Sequence, residues 1–159
     1  MNRVVVDIAD AVVSNNADDL LVTYSLGSCI GVTIHDPVAG VGGMIHCMLP
    51  LSKVDREKAV MRPFMFVDTG VTKLLAKLFE MGLRKTDATV RVAGCSRILD
   101  HKGLFKIGER NYTVFRKVLW KNGMMIESED IGGDVSRTIK LDIKTGIVML
   151  KTGGVEREL

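Results

Sequence analysis

The sequence predicts a layered α/β fold: a β core with much antiparallel pairing and two helices packed outside it. Three observations carry that reading. Segments rich in β-branched and apolar residues occupy both ends of the chain. Two of them flank a turn signal, which makes a hairpin. Two central stretches repeat apolar residues at three- and four-residue steps, which makes helices. The resulting order is strands, helix, strand, helix, strands, and not that of a regular doubly wound sheet.

The first strands are "RVVVDIA" and "LLVTYS". "CIGVTIH" and "GMIHCM" are the two arms of the hairpin, joined by "DPVAG", where Asp36-Pro37 opens the turn and Gly40 closes it. A helix follows Pro63, with Val67, Val71, Leu74, Leu75, Leu78 and Phe79 on one face. Gly82 caps its C-terminus, and Leu83 supplies the hydrophobic contact beyond the cap. "ATVRVAG" is the next strand. The second helix runs from about Gly108 to Asn122, turns Val114, Phe115, Val118 and Leu119 inward, and ends at Asn122-Gly123. "MMIESEDI", "RTIKLDI" and "IVMLKT" return to strands. The last two form a hairpin through Lys144-Thr145-Gly146, and Ile139, Leu141 and Ile143 alternate on a buried face.

A chain of 159 residues reads as one domain spanning 1–159. It can bury roughly 70% of its unfolded surface. Apolar residues make up 47% of it, so it is globular and not disordered. The net charge of +3 is mild, and no basic run interleaves with aromatics, which argues against nucleic acid. "MNRVVVDIAD" has neither a signal-peptide pattern nor a membrane span, so a cytoplasmic protein with reduced thiols is expected. Three cysteines do not make a disulfide framework.

The chemistry is sought where "LVTYSLGSCIGVTIHDP" breaks at Gly27-Ser28 to show Cys29. A free thiol is mostly protonated at pH 7, so a nucleophilic cysteine needs an imidazole, a helix N-terminus or a base beside it. The hairpin brings His46 across the sheet to the start of the first arm, where Cys29 stands. Pairing of the two predicts a lowered thiol pKa. Backbone N–H groups around Ser28 and Cys29 are candidates for an oxyanion hole. Thr23 is a candidate to orient the imidazole, through either its hydroxyl or its carbonyl. Gly42 and Gly43 are expected to let a substrate backbone approach, and Gly132-Gly133 either to do the same or, the favoured reading, to form a bulge. Cys47 points away from the His46 face by strand alternation, and Cys47 and Cys95 are read as core residues. His35 is expected to be solvated before its turn, and His101 to lie in a loop. Cys29, His46, Cys47 and His101 lack the spacing of a metal site, so neither metal nor cofactor is expected.

At "LGSCIGVTIHDPVAGVGGMIHCMLP", and again at "FKIGERN" and "DIGGDVSR", the sequence resembles the CheD family of chemoreceptor glutamine deamidases. The resemblance covers nearly the whole chain. It implies a cysteine hydrolase fold like the catalytic domain of the cytotoxic necrotizing factor toxins, and a triad whose matching positions are Cys29, His46 and Thr23. It also implies the substrate: glutamine side chains of methyl-accepting chemotaxis receptors, hydrolysed to glutamate, with methyl esters as additional substrates in some members. A CheC-type phosphatase is the implied partner. Phe105, before the second helix, is either a core residue or an exposed anchor for that partner. The rival reading is a non-catalytic module that binds and regulates the phosphatase, and ammonia release from receptor fragments separates the two.

Overall fold

The computed structural model describes residues 1–98 and 105–159. Among the described residues, ten strands form two five-stranded sheets. The first sheet orders β1 (Asn2–Val5), β3 (Asp19–Leu26), β8 (Arg137–Asp142), β9 (Val148–Thr152) and β10 (Val155–Glu158). The second orders β2 (Asp10–Ser14), β5 (Val41–Cys47), β4 (Ile30–Asp36), β6 (Thr89–Gly94) and β7 (Ile126–Ile131). Pairing is antiparallel except for β1–β3 and β6–β7. The helices are α1 (Arg56–Met61), α2 (Val67–Glu80) and α3 (Ile107–Lys121).

Two apolar cores separate the layers. Ile30, Val32, Ile34, Ile45 and Cys47 of the second sheet pack with Leu74 and Leu78 of α2 and Phe115 of α3. Leu21, Leu26, Met44, Ile139 and Leu141 fill the space between the two sheets. The β core with outer helices is therefore as expected, but the core is itself two layers. Both long helices stop where the sequence stops them. Leu83 N–H bonds Leu78 O and Gly82 N–H bonds Phe79 O, while Gly82 takes φ +101°, the left-handed conformation glycine permits. Met124 and Gly123 repeat that pattern behind α3.

Three elements were not legible in the sequence. Ala9 turns the chain at φ +62°, so one apolar run becomes two strands in different sheets. Helix α1 buries only Ala59, which leaves no periodicity to read, although the Asp55 side chain caps it at Lys58 N. Strand β10 reads "VERE" and is exposed throughout, held by its backbone ladder to β9. Gly132 and Gly133 are not a bulge. They form a left-handed turn (φ +83° and +69°) after β7, and their carbonyls accept from Arg137 Nη2 and Arg97 N.

Candidate active site

The site begins with hairpin register. Gly31 lies opposite His46 and Ile30 opposite Cys47, so Cys29, one residue before β4, stands at the His46 end. Along β5, Ile45 and Cys47 face the helices while Met44 faces the other sheet. Alternation therefore sends the His46 side chain between the two sheets. There Nδ1 of His46 lies 2.7 Å from Thr23 Oγ1 of β3. The same hydroxyl donates to Val6 O at 2.6 Å. A hydroxyl has one proton, so Thr23 must accept from the imidazole N–H. Thr23 thus meets the ring through its hydroxyl, and the imidazole lone pair is left on Nε2. His46 is fully buried, and Nε2 has no hydrogen-bond partner among the described residues. Strand β3 bulges just after Thr23, with Ser25 at φ +57°. The bulge moves the following residues out of the regular ladder.

The loop carrying Cys29 is held by its carbonyls. Gly27 O accepts from Ser96 N at 2.9 Å, Ser28 O from Asn111 Nδ2 at 3.0 Å, and Cys29 O from Cys95 N at 2.9 Å. The holding backbone, Gly94-Cys95, is left-handed at both residues. A side chain at Gly94 would place its Cβ 2.4 Å from Cys29 O, so only glycine fits that contact. A Cβ at Gly108, in the first turn of α3, would meet Cys95 O at 2.5 Å. Gly94 and Asn111 carry no role in the sequence reading, which takes Gly108 only as the start of a helix. Their signal was present only as the Gly and Asn of "VAG" and "FKIGERN".

Burial governs the electrostatics. It pushes the half-buried Cys29 thiol up, partly offset by the residue's own backbone N–H. It pulls His46 down to about 4, against the opposing pull of the Asp7 carboxylate. The expected low thiol pKa is thus corrected: burial disfavours the charged form of each group, and among the described residues no hydrogen bond joins His46 Nε2 to the thiol. Cys47 is raised well above the ordinary thiol value, and Cys95 to about 12, both by burial. Labelling the native protein with iodoacetamide at mildly alkaline pH should therefore modify Cys29 first. Cys47 and Cys95 should react only on unfolding. Equal native rates at all three cysteines would contradict this ordering.

Other expectations are corrected. Gly42 and Gly43 are buried within β5. A Cβ at Gly42 would meet Ile143 Cδ1 at 2.9 Å, and one at Gly43 would meet Leu74 Cδ1 at 3.1 Å. Their missing side chains allow the layers to approach and do not admit a substrate. His35 is not solvated: it is buried, and its Nε2 lies 2.8 Å from Ile143 O. Phe105 is 68% exposed, which removes the core alternative. The expectation for His101 lies outside the described residues. Cys47 and Cys95 are buried as core residues, with Cys47 on the face away from His46.

The family model described as CheD chemotactic sensory transduction matches residues 48–152, well over half of the chain. The chain belongs to the CheD family. Thr23, Cys29 and His46 precede that match, but full-length relatives span them. This CheD chain is similar to the probable chemoreceptor glutamine deamidase CheD 1 of Syntrophus aciditrophicus, at 48% identity over all of both chains. It is 40% identical to the probable chemoreceptor glutamine deamidase CheD of Solibacter usitatus, over 100% of this chain and 94% of that one. Among solved structures, the Bacillus licheniformis hypothetical protein YfiH aligns with a TM-score of 0.47 and 13% identity, over 77% of this chain and 49% of that chain. Among the described residues of this CheD chain, no helix is long and apolar enough to cross a membrane.

Proposed function

We propose that this CheD chain hydrolyses glutamine side chains of chemoreceptors to glutamate and ammonia through a thioester on Cys29. The observation that carries the chemistry is the His46 Nδ1–Thr23 Oγ1 hydrogen bond, which leaves Nε2 as a base at the Cys29 end of the hairpin. In the reaction, Nε2 takes the thiol proton as Sγ attacks the carboxamide carbon. The N–H groups of Ser28 and Cys29 hold the oxyanion. His46 returns the proton to the amide nitrogen, the C–N bond breaks and ammonia leaves. A water deprotonated by His46 then cleaves the thioester and restores the thiol. No cofactor enters these steps.

The test incubates the chain with receptor fragments and follows ammonia together with glutamine-to-glutamate conversion by peptide mass. Absence of both from intact protein would remove the proposal and favour a binding module. Thr23 has its own test. Thr23→Val keeps the shape but cannot accept from Nδ1, so the ring loses its tautomer and orientation. Turnover should fall about 10- to 100-fold, by analogy with lost partners of ligating histidines. Unchanged turnover would remove Thr23 from the machinery. A CheC-type phosphatase is the second partner in this reading, with the exposed Phe105 as its anchor.

A further inference from the structure

Asn111 is fully buried in the first turns of α3. Its Nδ2 donates to Ser28 O at 3.0 Å and to Met48 O at 3.1 Å. Those two hydrogens are the whole donor capacity of the amide, so its orientation is set. Its Oδ1 is then left buried with no partner among the described residues. A buried amide oxygen without a partner is destabilising, so such a group calls for an explanation.

Its two acceptors supply one. Met48 follows His46 by two residues, and Ser28 precedes Cys29. A peptide unit is planar and trans, so the Ser28 carbonyl and the Cys29 N–H point in opposite directions from one rigid plate. Whatever grips Ser28 O therefore aims Cys29 N–H. Ser96 N does the same for the preceding plate by gripping Gly27 O, which aims Ser28 N–H. Among the described residues, no backbone carbonyl accepts from either amide.

We infer that Asn111 is a positioning residue that sets the Cys29 N–H as an oxyanion donor and ties it to the strand end carrying His46. The inference rests on the deamidase reading of the site. Asn111 touches no substrate. Its loss should therefore lower kcat without changing KM.

The experiment compares the full-length chain with Asn111→Leu on a glutamine-bearing receptor helix peptide. A displaced oxyanion donor should lower kcat about 100-fold at unchanged KM. Alkylation of Cys29 by iodoacetamide forms no oxyanion, so its rate should stay at the wild-type value. Phe115→Leu, a core change on the same helix, provides a stability control and should keep kcat at matched thermal destabilisation. Asn111→Asp is the second variant if leucine prevents folding. Its carboxylate opposes both carbonyls, so kcat should fall at neutral pH and recover in part as acid protonates the group. Hydrogen exchange over residues 27–31 reads the clamp with no substrate and should quicken in either variant. Wild-type kcat in both variants, or alkylation falling in step with kcat, would overturn the inference. If wild-type protein releases no ammonia, the deamidase reading fails, and unaltered exchange over 27–31 then overturns the clamp separately.

Discussion

Cys29→Ala should leave a folded protein that releases no ammonia from a receptor peptide. The loop is held by three carbonyls, to Ser96 N, Asn111 Nδ2 and Cys95 N, and none of these contacts uses the thiol. The side chain is half-buried at the edge of the sheet–sheet core. Its truncation should cost about 1 kcal/mol. The chemistry has no second nucleophile to fall back on, and loss of a nucleophile from a hydrolase triad costs on the order of a million-fold in kcat. Cys47→Ala and Cys95→Ala should keep turnover, because both sulfurs lie in the helix-side core. Retained ammonia release in Cys29→Ala, or loss of it in a folded Cys47→Ala or Cys95→Ala, would mean that the nucleophile is misassigned. Melting curves recorded alongside the assay separate loss of fold from loss of chemistry.

The second large effect belongs to His46. Without Nε2, nothing in the proposed site takes the thiol proton or returns it to the leaving nitrogen. His46→Ala should lower turnover about 100- to 10,000-fold, the usual worth of a positioned acid–base group. The pH dependence is more diagnostic. Burial holds the folded imidazole at about 4, below the value of about 6.5 in an unfolded chain. The base stays neutral well into the acid range, so the acid limb of turnover should fall near pH 4 and not near 6.5. Stability moves with the same group. Between those two values the unfolded chain binds the proton and the folded chain does not. The stability is therefore complete above about pH 6.5 and is lost as the pH falls toward 4, by about 3 kcal/mol. Urea unfolding at pH 7 and pH 4.5 reads this loss, and His46→Ala should flatten it. A turnover limb at pH 6.5 would show that the imidazole is not enclosed as the structure has it.

Much of the fold could be read in the chain because its signals are local. Apolar alternation marked β8. The 3.6-residue period marked α2 and α3, and glycines placed both helix ends where they occur. The hairpin put Cys29 and His46 at the same end because register follows from turn and alternation over a few residues. Elements without a buried pattern escaped, as α1 and β10 show. The readings of Gly42, Gly43 and His35 failed for a different reason. Each is explained by a contact with another layer, at Ile143, Leu74 or the Ile143 carbonyl.

The sequence by itself determined the α/β class, the hairpin, the thiol and imidazole, and a threonine candidate to orient the ring. The tertiary structure alone decided how they are placed. It set the Thr23 hydroxyl, and not the carbonyl, against His46 Nδ1, as an acceptor because Val6 O takes the one hydroxyl proton. It buried the imidazole between the sheets and left the thiol half-buried at their edge. It recruited Asn111, 83 residues from Ser28, to hold the loop. These are contacts and burials between segments distant in the chain, and no local period or spacing records them.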